Sequence, residues 1–345
     1  MSRILVVNAG STSLKLSIVD ETGTSRRIDS FEQAEDEVDA VAHRVVHGGA
    51  RFFDPVVLDD GVRAALDELT ELAPLHNGPA LVAIGEAMTI LPHVPHIAVF
   101  DTAFHRTIPA EASTYALPSR WRDEWGIRRF GFQGLSVQWS AEHVRVPRLV
   151  VCHLGGGCSV TAVRDGRSVD TTMGFSPLEG VPMATRSGSI DTEIVLHLLR
   201  TGKLELDEIE HALQSESGLL GLSGETSQVE ELECSSSPGA ELALGVFVHR
   251  VAAAVAAMAA SLGGIDALVF TAGIGEGSAK VRREVCARLR FLGVELDEDA
   301  NAAVVAAGAG ADIATAGAGV RIVVVHARED VVAARAATKA LGSSA

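Results

Sequence analysis

Four charged residues stand where apolar runs of this sequence stop. Arg44 lies in "VAHRVVHGG" (41–49), Asp101 closes the run in "IAVFDTAFH" (97–105), and Glu329 follows "VVVHAR" (323–328). Arg186 sits in the small-residue segment "MATRSGSID" (183–191). In open α/β sheets, ligands bind beyond the carboxyl ends of strands. A single charge there is more often a cap or a surface ion pair, but four at corresponding points suggest a site. The chemistry that suits them is phosphoryl transfer, in which charge spreads over the transferred oxygens and catalysis is positioning plus electrostatics. Arginines are always charged and fork-shaped, which fits a phosphoryl or carboxylate group. One or two carboxylates suffice for Mg²⁺, which keeps much of its water.

Glycine-rich turns are the second ingredient. "RILVVNAGSTSLKLSIVD" (3–20) and "RLVVCHLGGGCSVTAVRDGR" (148–167) share one plan, an apolar strand, a small-residue turn and an alternating strand. Each reads as a β-hairpin whose turn exposes backbone N–H groups to an anion. Lys15, just past the first turn, could reach a phosphate, although a strand lysine is usually only solvated. The third cluster, "ALVFTAGIGEGSAKVRREV" (267–285), reads as strand, turn and helix, with Ser278 as N-cap. Its GxGxG is a weak dinucleotide match, and GxxxxGK[ST] is absent.

These turns must be carried by strands and helices. Helical spacing appears at 59–72, 191–200, 205–213 and 241–261. Strands alternating with helices predict an α/β fold. The repeated hairpin predicts a duplication, with an N-terminal domain over 1–147, a second domain over 148–328, and a final helix (329–342) that could pack back on either. Residues 21–40 read as a polar connection.

The totals agree. The chain has 345 residues, 47% apolar, with a net charge of −16. That length allows two domains. The charge argues against nucleic acid or anionic membrane as partner. The apolar stretch near 242–262 is broken by His249 and Arg250, so no membrane span is expected. Four cysteines without a CxxC pair fit a reducing cytoplasm.

Taken in order, "VVNAGSTSLKLSIVD", "HRVVHGGARF", "LAPLHNGPAL", "FDTAFH", "HLGGGCSVTAV", "DTTMGFSPLEGVPMATRSG" and "FTAGIGEGS" resemble the acetate kinase family, from residue 3 to about 340. The chain is shorter than is typical of the family, mainly at 21–40 and less so at 138–148. The resemblance implies a duplicated two-domain, actin-like (ribonuclease H-like) α/β fold with a central cleft. It implies a homodimeric enzyme that transfers the ATP γ-phosphate, with Mg²⁺, to acetate or propionate. Carried over, it implies that Asn8, Ser11, Ser13 and Lys15 face the phosphates, as do His153 and the turn Gly155, Gly156, Gly157. Gly273, Ile274 and Gly275 would meet the nucleotide. Arg44 and Arg186 would clamp the carboxylate and the phosphoryl group. Asp101 would serve the metal or orient the carboxylate, and Asn8 and Glu329 would hold Mg²⁺. Val46, Leu75, Phe132 and Pro177 match the apolar pocket for the alkyl end, with His76 nearby.

The chain departs from the family at telling places. "RRFGFQGLSVQWSA" (128–141) has Gln133 where the family has a histidine on the transferring phosphoryl group, and Val137 where a second histidine is usual. A glutamine amide still donates a hydrogen bond, but it cannot become cationic. Gly156 replaces an asparagine. Gln228 and Glu230 occupy positions that usually carry an aspartate and an arginine near the adenosine. Two alternatives therefore stay open: a different phosphoryl donor, such as pyrophosphate, or a weak or inactive nucleotide-binding regulator.

Overall fold

The computed structural model describes residues 2–10, 14–72, 74–304 and 311–343, without the side chains of 71, 72, 74–76 and 343. Their strands form two six-stranded sheets. The first contains β1 (Arg3–Ala9), β2 (Leu14–Asp20), β3 (Ser25–Ile28), β4 (Ala40–Val45), β5 (Val56–Val57) and β6 (His96–Phe100), in the order β3-β2-β1-β4-β6-β5. The second contains β7 (Arg148–Leu154), β8 (Cys158–Arg164), β9 (Arg167–Thr171), β10 (Ala267–Thr271), β11 (Ala311–Asp312) and β12 (Arg321–Val324), in the order β11-β12-β10-β7-β8-β9.

Both sheets have one plan. A three-stranded antiparallel meander (β1–β3 or β7–β9) is followed by two parallel strands (β4 and β6, or β10 and β12) and a two-residue antiparallel edge strand. The duplication expected from the two hairpins extends to whole sheets. The central strands are nearly continuous runs of Val, Ile, Leu and Ala, as strands covered on both faces require. Every residue of β6 and β10 is buried.

The chain divides into two compact units that are not simple consecutive stretches. One is Met1–Arg106 with Phe132–Trp139 and Arg328–Ala345; the other is Thr107–Gly131 with Ser140–Ala327. In the first, the helices Pro74–Ile90 and Glu329–Ser343 pack on β1 and β4. The second of these helices is pinned at its start. Arg328 Nη2 donates to Gly23 O at 2.8 Å, and its Nε donates to Asp330 Oδ1 at 3.0 Å. Those bonds fix Glu329, the first helical residue.

In the second unit the helix Pro238–Leu262 lies on β7, β8 and β9. Ser237 caps it, accepting Ala240 N–H at 3.0 Å, Pro238 opens it, and Gly263 ends it at φ 71°. Such a cap contributes about 1 kcal/mol. This helix is long and apolar enough to cross a membrane, yet half of its most apolar stretch is buried inside the protein, as in a core helix. Phe247, Val251 and Val255 are among its buried residues.

Candidate active site

The first unit gathers four of the expected residues from four places in the chain. Asn8 of β1 pairs in register with Arg44 of β4, and Asp101 follows the last residue of β6. Arg44 Nη1 donates to Asn8 Oδ1 at 3.0 Å, and Nη2 makes a short ion pair with the Asp101 carboxylate. Arg44 Nε lies 3.8 Å from Glu329 Oε2, and Asn8 Nδ2 donates to the same oxygen at 3.4 Å. Asp101 is almost wholly buried (1% exposed), whereas Arg44 and Glu329 keep 15% and 20% of their side-chain surface. Burial alone would weaken the charge on Arg44. Asp101 and Glu329 more than offset that and push its pKa up, so it stays cationic.

Asn8 and Glu329 offer a hard cation two oxygen donors at a partly open place. No group of three His, Cys, Asp or Glu able to hold a metal occurs among the described residues. That donor set fits Mg²⁺, which takes one or two protein oxygens and completes its shell with phosphate and water. Lys15 is exposed on β2 directly across from Asn8. Ser11 and Ser13 lie outside the described residues.

Gln133 sits beside this cluster in a constrained turn. Its φ is +61°, a left-handed value in which His and Asn are enriched over other side chains. The next N–H, of Gly134, donates to Asp101 O at 3.0 Å. A β-carbon on Gly134 would fall 2.2 Å from that oxygen, so the approach requires glycine. The turn is also held by His105, whose Nε2 donates to Phe132 O at 2.9 Å, and by the His47 ring, edge-on to Phe132 at 5.3 Å. Burial holds His105 down at about 4, against the opposing pulls of the Phe132 carbonyl and Asp101. It is therefore a neutral donor.

Val46 and Phe132 are both buried, and the His47–Phe132 contact brings their loops together. The Val46 loop is closed by Asn77, whose Oδ1 accepts His47 N–H and whose Nδ2 donates to His47 O, both at 3.1 Å. The side chains of Leu75 and His76 lie outside the described part of the structure. Val137 is buried and its N–H donates to Gln133 O at 3.1 Å.

The second unit gathers the glycine turns. His153 of β7 pairs in register with Thr271 of β10, so the turns that follow these strands are neighbours. A β-carbon on Gly155 would meet Ala272 Cβ at 3.4 Å and Gly273 N at 3.8 Å. At Gly156 and Gly273 an added β-carbon meets nothing within 4 Å. The third cluster differs from expectation in one respect. A short helix, Ala272–Gly277, comes between the strand and the longer helix that Ser278 caps. Ala272 starts it at φ +66°. The Glu276 carboxylate turns inward, accepting Ala272 N–H at 2.8 Å and Ala327 N–H at 3.0 Å. Buried Arg282 supports the turn from behind, donating to Gly275 O at 3.0 Å and Glu276 O at 2.6 Å. Ile274 and Gly275 are buried under it.

Arg186 belongs to this unit. The loop bearing it is tied to the glycine turn by Ala184 N–H donating to Gly156 O at 3.2 Å. Its Nη1 donates to Pro177 O at 3.1 Å. It also lies near Cys158, whose thiol burial pushes up to about 12 although Gly155 O and Arg186 oppose the rise. The buried thiol is inert. Glu230 approaches the turn from the helix Val229–Cys234, with Oε1 3.7 Å from a β-carbon placed on Gly277.

The sequence reading gave no role to His105, His47, Asn77, Glu276 or Arg282. All five lie in the motifs given above, and their inward, supporting roles leave no mark in residue type.

The sequence profile of the acetokinase family matches residues 24–335. An acetate kinase of Gloeobacter violaceus is 46% identical over 312 residues, covering 87% of this chain and 76% of that protein. One from Methanosarcina acetivorans is 38% identical, covering 96% and 95%. A propionate kinase structure from Francisella tularensis superposes with a TM-score of 0.90 at 32% identity, covering 97% of this chain and 99% of its own.

Proposed function

Because the chain belongs to the acetokinase family and is a phosphotransferase acting on a carboxyl group, we propose that it moves the γ-phosphoryl group of ATP reversibly to acetate or propionate. The observation that carries this reading is the Arg44 guanidinium held by Asn8, Asp101 and Glu329 at the ends of β1, β4 and β6. Such a fixed cation serves a reaction whose charge develops on phosphoryl oxygens.

In this reading Asp101 orients Arg44, and Arg44 holds the carboxylate so that one oxygen faces the phosphorus. That oxygen forms the new P–O bond as the bond to the leaving diphosphate breaks, and no proton need move. Arg186 and the Gln133 amide stabilise the three transferred oxygens. The turns at 155–157 and 273–275 receive the donor's phosphates on backbone N–H groups, together with His153 and Lys15. Asn8 and Glu329 would hold Mg²⁺, which supplies charge neutralisation on the phosphates. Val46, Phe132 and Pro177 are buried and bulky, which favours a two- or three-carbon acid.

Glu230 beside the Gly277 turn supports a second reading of the donor. A carboxylate there cannot stack on adenine as an arginine does, so a donor without a base, such as pyrophosphate, follows. We also infer a homodimer in the cytoplasm. Ile190, Ile194, Leu196 and Leu199, on and before the helix Thr192–Arg200, are exposed, and the cysteines are free thiols.

The test is to incubate the protein with Mg²⁺, acetate or propionate, and ATP or pyrophosphate, trapping acyl phosphate as the hydroxamate. Product with ATP is expected. Product with pyrophosphate alone would replace the donor, and none with either would overturn the reading.

A further inference from the structure

The stretch 107–131 holds none of the residues placed above, yet it grips the loop that carries Pro177. Arg129 Nη1 donates to three successive backbone oxygens, those of Thr171, Thr172 and Met173, at 2.9, 3.0 and 3.0 Å. Its Nη2 donates to Glu179 Oε1 at 2.8 Å. One guanidinium thus ties the loop on both sides of Pro177, at residues 171–173 and at Glu179. The other Glu179 oxygen accepts a short hydrogen bond from the Tyr115 hydroxyl, which itself accepts Phe175 N–H at 2.8 Å. Burial, then Glu179, pushes the Tyr115 pKa up, so the phenol remains a donor. Arg129 also lies over the Tyr115 ring, 5.5 Å from its centre.

The loop backbone is threaded tightly through this network. A β-carbon on Gly174 would lie 1.6 Å from Glu179 Oε2 and 2.0 Å from the Tyr115 oxygen. Phe130 N–H donates to Gly174 O at 3.0 Å. These bonds matter because no strand or helix holds the chain between the end of β9 at Thr171 and the helix that starts at Thr192. Pro177 is buried within that stretch, and its carbonyl accepts from Arg186 Nη1, which also lies 3.8 Å from Met183 Sδ.

We propose that Arg129, Tyr115 and Glu179 are positioning residues, which fix the Pro177 carbonyl and through it the direction of the Arg186 guanidinium. The proposal rests on the reading that Arg186 acts on the transferring phosphoryl group. Arginine's donors form a rigid fork, so the carbonyl that takes one N–H sets where the others point. A displacement of about 1 Å at such a group costs on the order of 10²-fold in rate.

The experiment measures kcat and KM, by the hydroxamate assay with Mg²⁺, for Glu179→Gln and Tyr115→Phe, each alone and combined with Arg186→Lys. Thermal melting is followed alongside. Glu179→Gln should lower kcat by on the order of 10²-fold with KM for ATP nearly unchanged. Tyr115→Phe should give a smaller loss in the same direction. In the Arg186→Lys background each should cost little more, because residues acting through one group are not additive. If Glu179→Gln fails to fold, Tyr115→Phe, which removes one hydroxyl from a half-buried ring, carries the same comparison. Full kcat in the clamp variants beside a crippled Arg186→Lys would overturn the clamp alone. Losses that multiply undiminished in the Arg186→Lys background would also overturn it. A fully active Arg186→Lys would overturn the Arg186 reading, and the clamp with it.

Discussion

The two sheets put the same register positions to different uses. In the first, the penultimate residue of the opening strand, Asn8, pairs with Arg44. In the second the equivalent residue, His153, pairs with Thr271. The first pair is charged and closed, with Arg44 held by Asn8, Asp101 and Glu329. The second ends on a small residue beside the glycine turns. Thr271 is fully buried, its Oγ1 has no hydrogen-bond partner among the described residues, and Gly156 and Gly273 leave space above their backbones. The cation of the second unit comes from a loop, at Arg186, rather than from the sheet. A duplicated frame thus lets one copy fix charge on strands while the other leaves space above the backbone of its glycine turns.

The strongest way to break this contrast is to empty each register position. Arg44→Ala should reduce kcat/KM by about 10³-fold, the scale of losing a preorganised charge donor. It should also destabilise the fold by about 3–5 kcal/mol, because the buried Asp101 carboxylate loses its cation. Thr271→Val should stay within about 1 kcal/mol in stability, since the hydroxyl it removes makes no bond. Steady-state kinetics and urea unfolding check both. Equal losses at the two positions would erase the distinction.

Acid should separate the units next. Burial, with His96 adding to it, holds His43 down at about 3, and His105 is held at about 4. His96 Nε2 donates to Leu91 O at 3.0 Å, so its Nδ1 accepts from His43 Nε2 at 2.9 Å, and both rings are neutral. Both His43 and His105 lie in the first unit. In the unfolded chain histidine binds its proton near pH 6.5, so between that pH and about 4 the unfolded state holds more protons than the native one. Stability is full above pH 6.5 and falls as the pH drops through the native values. The loss from His105 alone should reach roughly 3 kcal/mol by pH 4. Urea midpoints from pH 7.5 to 4.5 measure it, and hydrogen exchange should locate it in the first unit. Loss confined to the second unit would refute the assignment.

The glycines sharpen the contrast at a smaller scale. Gly134→Ala drives a β-carbon against Asp101 O and should destabilise by about 3 kcal/mol, at the upper end of overpacking. Gly156→Ala meets open space and should stay within about 0.5 kcal/mol. Thermal unfolding of the two variants is a direct comparison.

Much of this was legible in the sequence because it is written in repeated types. The two hairpins, the Ser278 cap and the helices 192–200, 206–215 and 238–262 follow from apolar period and turn residues. The four charged candidates could be found, and two of them, Asp101 and Glu329, do meet a third, Arg44. What the sequence hid is long-range and neutral. Residues 21–40 read as a connection, yet they form β3 and a helical turn whose Phe31 and Ala34 enter the core. A four-residue edge strand is too short for alternation to register. Arg129, in the pair Arg128–Arg129, ties backbone carbonyls of its own unit, a role its residue type does not announce. An arginine's partners depend on folding that brings residue 129 to residues 171–179, which no local pattern records.

Gln133→His carries the smallest expected effect and bears most directly on the charged unit. The backbone there already adopts φ +61°, which histidine tolerates well, so the exchange should cost no turn geometry. A hydrogen bond to a charged group is worth about 1 kcal/mol more than a neutral one. A histidine that becomes cationic against the phosphoryl oxygens should therefore raise kcat by about fivefold. The gain should fade as the pH rises past the new imidazole's pKa, whereas the glutamine enzyme has no such limb. A pH–rate profile of both proteins separates the outcomes. A gain without that limb would mean histidine acts by shape alone. No gain would mean that Arg44, already fixed by Asp101, supplies all the charge the turn could add.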